Sequence, residues 1–251
     1  MEYLNDIEFL LAVAGILFLG GWIKGVIGLG LPLVSVPLLT YLLPVPVAIF
    51  VLAVPVLVSN CYQATRGGLL VEALQRFWPL LTAMMLGVGL GAQLLITLDE
   101  RSLYLILGTM VTLLGFIYLF GGNLMISARF ERGTGVAVGF GSGLLGGVSS
   151  FLGPPIVLYL VALHLGKELF IVALALVFFL GGVPLYGTLA ASDIVSWDEI
   201  LLSALGVLPV MLGVFAGQRL RRVMPQELFR RVVLAVMVIM GLLLIRRGLV
   251  L

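Results

Sequence analysis

The sequence predicts an all-α polytopic membrane protein with two inverted repeats, each opening with a broken or turned-back helix pair. Three observations predict it. The chain is 62% hydrophobic and 10% charged, whereas about a quarter of a soluble domain is charged. Its charges sit in short joints between apolar blocks of roughly 20 residues or more, the length an α-helix needs to cross about 30 Å of hydrocarbon. One glycine pattern also occurs twice. Runs such as LYLILGTMVTLLGFIYLF, from Leu103 to Phe120, are apolar on every face, unlike the alternating segments of an outer-membrane barrel.

The blocks fall at 9–43, 46–64, 77–98, 103–121, 134–163, 169–190, 200–218 and 232–245. The joints are too short to hold a soluble domain, so residues 1–251 read as a single transmembrane domain, with repeat 1 at 7–121 and repeat 2 at 132–248. The start, MEYLNDIEF, is acidic where a signal peptide is basic, and the first helix is expected to be retained. A single cysteine, Cys61, excludes an internal disulfide and any cysteine-cluster metal site.

The first block has 35 residues, which as one helix would be about 52 Å long and far too long for one crossing. It must break, and Gly28, Gly30 and Pro32 in GLGLP supply the break. Block five breaks likewise at Gly146, Gly147, Gly153, Pro154 and Pro155. Glycine tolerates the dihedrals of such a turn, and proline suits the first turn of the helix that resumes. Gly21, Gly25 and Gly28 recur as Gly139, Gly143 and Gly146 at an offset of 118. Gly87, Gly91 and Gly115 recur as Gly213, Gly217 and Gly241 at an offset of 126, which marks an internal duplication.

Loop charges test the topology, because Lys and Arg concentrate in cytoplasmic loops. With single crossings at blocks one and five, the positives divide six to seven. If both blocks turn back, ten fall on one side (Arg66, Arg76, Arg129, Arg132, Lys167 and the five arginines from 219 to 231) against Arg101, Arg246 and Arg247 on the other. The turned-back arrangement puts both termini outside and inverts one half relative to the other. Inverted repeats with broken helices are the architecture of many secondary transporters.

The buried polar groups point to the substrate class. All twelve Asp and Glu residues lie in joints or at block ends, and only Lys24 falls inside an apolar block. A cation carrier or a carboxylate proton relay normally buries an acid; this chain buries a cation and several helix N-termini. Those termini hold small oxyanions through free N–H groups and the helix dipole. The candidate anion-binding residues are therefore Lys24, Gly25, Gly28, Gly30 and Leu31 at the first break. At the second they are Ser142, Gly146, Gly147, Ser149, Ser150 and Gly153, and Asn60 and Gln63 lie one helical turn apart elsewhere. Pro32, Pro154 and Pro155 start the resumed helices. Two roles are open to Lys24, a substrate contact or snorkelling to the interface, and the glycines are also open to a packing role. Gln93, Gln218, Tyr186 and Thr188 are weaker candidates. A serine-protease reading pairing Ser142 with the only histidine, His164, lacks the expected glycine two residues before the serine.

The openings GGWIKGVIGLGLPLVSVPLL and GFGSGLLGGVSSFLGPPIVLYL, each followed by a GxxxG-like helix, resemble the sulfite exporter TauE/SafE family over nearly the whole chain. The resemblance implies a secondary permease, not an enzyme, exporting a small sulfur oxyanion or organosulfonate such as sulfite or sulfoacetate. It carries the helix breaks onto Gly25, Gly28, Gly30 and Pro32, and onto Gly143, Gly146, Gly147, Gly153, Pro154 and Pro155. The chain departs from the pattern at Lys24, where a small or acidic residue is commoner, and after Gly30, where a third glycine is missing. No cofactor, metal or nucleic acid is expected. The expected partners are a small anion and the bilayer of the bacterial inner membrane, with a homo-oligomer left open. An anion-selective channel and a non-transporting subunit of a membrane complex are the alternatives.

Overall fold

The computed structural model describes residues 6–27, 31–66, 68–120, 126–127, 129–150, 152–192, 194–220, 238–239 and 241–250, and every regular element among them is helical. In chain order these are α1 (Ile7–Ile27), α2 (Leu31–Leu39), α3 (Val45–Phe50), α4 (Ala53–Arg66), α5 (Leu70–Thr97) and α6 (Glu100–Phe120). They are followed by α7 (Glu131–Ser149), α8 (Gly153–Ala162), α9 (Lys167–Ala190), α10 (Trp197–Leu205) and α11 (Val207–Leu220). Residues 241–250 are helical as well. Five stretches among the described residues are long and apolar enough to cross a membrane, at Ile7–Val26, Val45–Thr65, Leu70–Thr97, Val172–Ala190 and Trp197–Leu220.

Short polar side chains start several helices by accepting N–H groups that have no intrahelical partner. The Asp6 carboxylate accepts from the N–H groups of Glu8 and Phe9 at 2.9 and 3.2 Å, starting α1. At α6 the Asp99 carboxylate accepts from the Ser102 N–H at 3.0 Å and from its hydroxyl at 2.7 Å, which holds the Asp99 carboxyl below its ordinary range. A capping box formed by Ser196 and Glu199 starts α10. Where proline opens a helix, as Pro32 and Pro154 do, its missing N–H is one the first turn would leave unused.

The helices gather into two compact units that draw on both halves of the sequence. One comprises Met1–Pro55, Leu98–Gly121 and Leu189–Leu251, and the other Val56–Thr97 and Gly122–Thr188. In the first, α1 lies along α11 with backbones nearly touching: Gly21 rests on Val210, Gly25 on Val214 and Gly217, and Gly213 and Gly217 on the backbone of Phe18 and Trp22. In the second, α7 lies along α5 in the same way. Gly143 rests on Met84, Gly147 on Val88 and Gly91, and Gly87 and Gly91 on the backbone of Phe140 and Leu144. Glycines four residues apart form one stripe of a helix, which lets backbones approach without side chains intervening.

The recurrent seam fixes the register in which the two glycine patterns correspond. Met84, Val88 and Gly91 match Val210, Val214 and Gly217 at 126 residues, as the sequence indicates, but Gly143 and Gly147 take the places of Gly21 and Gly25, a displacement of 122 rather than 118. The glycines recur about once per turn, so a slip of four residues still aligns glycine with glycine. The residue each one touches distinguishes the two registers. At the next level the sizes are exchanged: Gly139 lies on the Leu80 backbone, while its counterpart Leu17 lays its side chain on Gly206, the counterpart of Leu80.

Both opening blocks turn back. Leu31 and Ser35 of α2 lie beside Gly20 of α1, so α2 returns along α1. In the other unit Leu152 folds onto Gly146, and Tyr159 reaches Gly135 and donates its hydroxyl proton to the Glu131 carbonyl at 2.9 Å.

Candidate functional site

The candidate residues divide between the units. Lys24, Gly25, Leu31 and Pro32 belong to the first, and Asn60, Gln63 and the residues from Ser142 to Pro155 to the second. Gly28 and Gly30 lie outside the described residues.

At the first break Lys24 occupies the last turn of α1 and is only 5% exposed. Gly25, beside it, is committed to the α11 seam. Leu31 and Pro32 are both buried in the first turn of α2. Ser35, which the sequence reading passed over, is fully buried, and its hydroxyl finds no hydrogen-bond partner among the described residues. It lies against Gly20, a fit that only glycine permits. Its signal in the sequence was faint, because a lone serine in an apolar helix usually returns its proton to a carbonyl one turn back.

The second break is better defined. α7 ends at Ser150, a non-glycine residue in the left-handed region with φ 64°, a conformation that costs about 1–2 kcal/mol. Its N–H donates to the Gly146 carbonyl at 2.6 Å. The Ser149 hydroxyl donates to the Leu145 carbonyl at 2.7 Å, so it is engaged by its own helix in this state. Ser142 is buried with its hydroxyl unpartnered among the described residues, on the same face of α7 as Gly135 and Gly146, which meets the returning chain. Gly147 belongs to the α5 seam, and Gly153 opens α8 against the Phe178 ring. Pro154 and Pro155 stand in the first turn of α8 and contribute no N–H.

Asn60 is buried in α4 and donates to the Val56 carbonyl at 2.8 Å, while Gln63 is half-exposed one turn on. Gln93 and Gln218 are exposed on their helices, and Thr188 is half-buried. Tyr186 is buried, its ring against Gly182 of its own helix. His164 is exposed in the joint after α8.

Electrostatically the breaks are unequal. The first carries the Lys24 side chain. Residues 133–166, which contain the second, include no Asp, Glu, Lys or Arg, so only hydroxyls, amides and the helix dipole could meet an anion there. In register, Lys24 corresponds to Gly146. A lysine thus stands where the second break has a glycine covered by Leu152.

The family model for the sulfite exporter TauE/SafE matches residues 13–244, a span that holds both breaks and both glycine seams. The chain belongs to the TauE/SafE sulfite exporter family. Members of the TauE/SafE family are membrane permeases and not enzymes, so this chain is a multi-pass membrane transport protein whose partners are the bilayer and a small anion. No curated protein and no solved structure matches the chain.

Proposed function

We propose that this TauE/SafE protein exports a small sulfur oxyanion or organosulfonate, such as sulfite or sulfoacetate, across the bacterial inner membrane by alternating access. One observation carries the reading: each unit contains a helix hairpin broken in the apolar part of the chain, and the only charge buried among the described residues is a cation, Lys24. A broken membrane helix exposes backbone N–H groups where no water satisfies them, which is tolerable where they line a cavity or meet a ligand. The glycine seam that recurs in both units supports the inverted-repeat reading, since a duplicated unit that rocks as a body is the usual basis of alternating access. Export follows the membrane potential, which drives anions outward.

In this reading the Lys24 ammonium supplies countercharge. The start of α2 supplies N–H donors, as does the Ser149–Gly153 segment with the hydroxyls of Ser142, Ser149 and Ser150. Asn60 and Gln63 add neutral polar contacts. A ligand that binds the folded state stabilises it by mass action, so sulfite and sulfoacetate should raise the unfolding temperature of the purified protein above that in acetate or sulfate. In reconstituted vesicles, sulfite flux should saturate and show counter-transport. Unitary currents would identify a channel, and indifference to every small anion would point to a non-transporting subunit.

A further inference from the structure

α1 presents one face to the helix that returns along it. Leu31 and Ser35 of α2 both lie on Gly20, and Lys24, four residues on, stands on the same face about one turn nearer the break. In the second hairpin the residue in the place of Lys24, Gly146, is covered by Leu152 of the returning segment, so this face meets the return in both units. A helical side chain leans toward the start of its own helix. The buried Lys24 stem therefore leans back toward the level of Gly20, the level at which Ser35 sits. Ser35 is fully buried, and its hydroxyl has no hydrogen-bond partner among the described residues. A serine or threonine inside a helix usually donates to a carbonyl one turn back, as Ser149 does to Leu145 and Thr97 to Gln93. Ser35 makes no such bond, although the Leu31 carbonyl is one turn back and borders the same glycine. Native folds rarely leave a buried hydroxyl unused.

The hydroxyl also recurs. The helix ends Ile27 and Ser149, and the helix starts Leu31 and Gly153, differ by the same 122 residues as the seam glycines. In that register Gly20 corresponds to Ser142 and Ser35 to Val157. Ser142 is buried too, with its hydroxyl unpartnered among the described residues. Each hairpin thus holds one such hydroxyl at this level, on the returning helix in the first and on the incoming helix in the second. Only the first sets it on the face of a lysine.

We propose that Ser35 is an anion-binding residue of the first break, donating its hydroxyl proton to an oxygen of the same sulfite or sulfonate group that Lys24 neutralises. The assignment rests on the reading of that break as an anion site. Lys24 supplies charge on a flexible stem, whereas Ser35 is fixed by its helix and by its seat on Gly20. Ser35 therefore sets where the oxyanion lies, and Gly20 makes room for the hydroxyl by lacking a β-carbon.

Ser35→Ala removes one oxygen and leaves the packing of α2 on α1 in place. Losing a buried hydroxyl that has no partner in the protein does not harm the fold, so without anion the purified full-length variant should unfold at the temperature of the unsubstituted protein or above it. Its Kd for sulfite, read from the unfolding temperature against sulfite concentration, should rise at least about tenfold, as expected for loss of one hydrogen bond to a charged group. Thr112 supplies the control. It sets another unpartnered hydroxyl, among the described residues, on Gly241, in helices that belong to neither hairpin, so Thr112→Val should leave the Kd unchanged. A lower anion-free unfolding temperature in Ser35→Ala overturns the proposal whatever the protein binds, because the hydroxyl then has a partner within the fold. An unchanged Kd in Ser35→Ala, or an equal loss in Thr112→Val, overturns it while leaving the anion reading of the break to Lys24. If the unsubstituted protein responds to neither sulfite nor sulfoacetate, the transport reading itself fails, and the role of Ser35 fails with it.

Discussion

A β-carbon placed on Gly25 would stand 3.0 Å from the Cα of Gly217, and one placed on Gly217 would stand 3.0 Å from the Cα of Gly25. The obstruction is backbone on both sides, so no rotamer change relieves it. Gly25→Leu or Gly217→Leu must push α1 and α11 apart, an overpacking that costs about 1–3 kcal/mol or more, and should lower the unfolding temperature in detergent. Gly15, Gly89 and Gly141, on helices of the same two seams, have open space where a β-carbon would go. Alanine there should be neutral or stabilising by about 0.5–1 kcal/mol, since it restricts the unfolded chain and favours the helix. Equal destabilisation in both sets would refute the seam.

Lys24 tests the charge of the first break. Lys24→Met keeps an unbranched apolar stem of similar reach and removes the ammonium, so it should leave the protein folded and weaken sulfite-dependent thermal stabilisation at least about tenfold, as expected for loss of a charged contact. Lys24→Arg should retain part of the response. If Lys24→Met responds to sulfite like the unsubstituted protein, the lysine has no part in binding.

In the second unit Arg76 grips Glu131 with two hydrogen bonds of 2.8 and 3.1 Å, and Tyr159 binds the Glu131 carbonyl. The pair joins α5 to the start of α7, but Arg76 is about one-third exposed, so solvent screens it. A double-mutant cycle with Arg76→Gln and Glu131→Gln should give a coupling of about 0.5–1 kcal/mol that shrinks in high salt. A coupling of several kcal/mol would mean the pair is far better shielded than its exposure indicates.

Arg247 donates to the Thr40 carbonyl at 3.0 Å just past the end of α2, and its guanidinium lies 4.6 Å from the Tyr104 ring centre and 5.7 Å from that of Tyr41. A cation at the end of a helix meets the unsatisfied carbonyls and the negative end of the dipole. Arg247→Gln should cost about 1–2 kcal/mol from the lost bond and stack. Arg247→Lys should cost less, because the charge survives without the planar fork. Thermal unfolding of the two variants side by side checks the order.

Loop charge predicts the orientation. In a background with Cys61→Ser, since Cys61 is exposed, a cysteine replacing Asp193 should react with an impermeant reagent added outside intact cells. One replacing Arg221 should react only after the membrane is opened. The reverse result would invert the topology.

Membrane character was legible in the sequence because the bilayer imposes a length and a polarity that no soluble core requires. The breaks were legible as well, since glycine and proline in GLGLP and SSFLGPP leave a helix no continuous path. The register of the duplication was not, because glycines once per turn match themselves at several offsets, and only contacts such as Gly143 on Met84 select one. Ser35 was likewise hidden, since a single hydroxyl in an apolar run carries no periodic signal. By itself the sequence determined that the chain spans a membrane, that one glycine pattern recurs in its two halves, that its opening helices break, and that Lys24 is the one charged residue inside an apolar block. Each of these follows from local chemistry or from one-dimensional spacing. Tertiary structure alone decided that the opening helix of one half packs on the glycine helix of the other, that Ser149 spends its hydroxyl on Leu145 while those of Ser35 and Ser142 find no partner among the described residues, and that α9 packs on Leu152 and Gly153 at the second break. Those outcomes depend on which surfaces meet, and residues far apart in the chain settle that together.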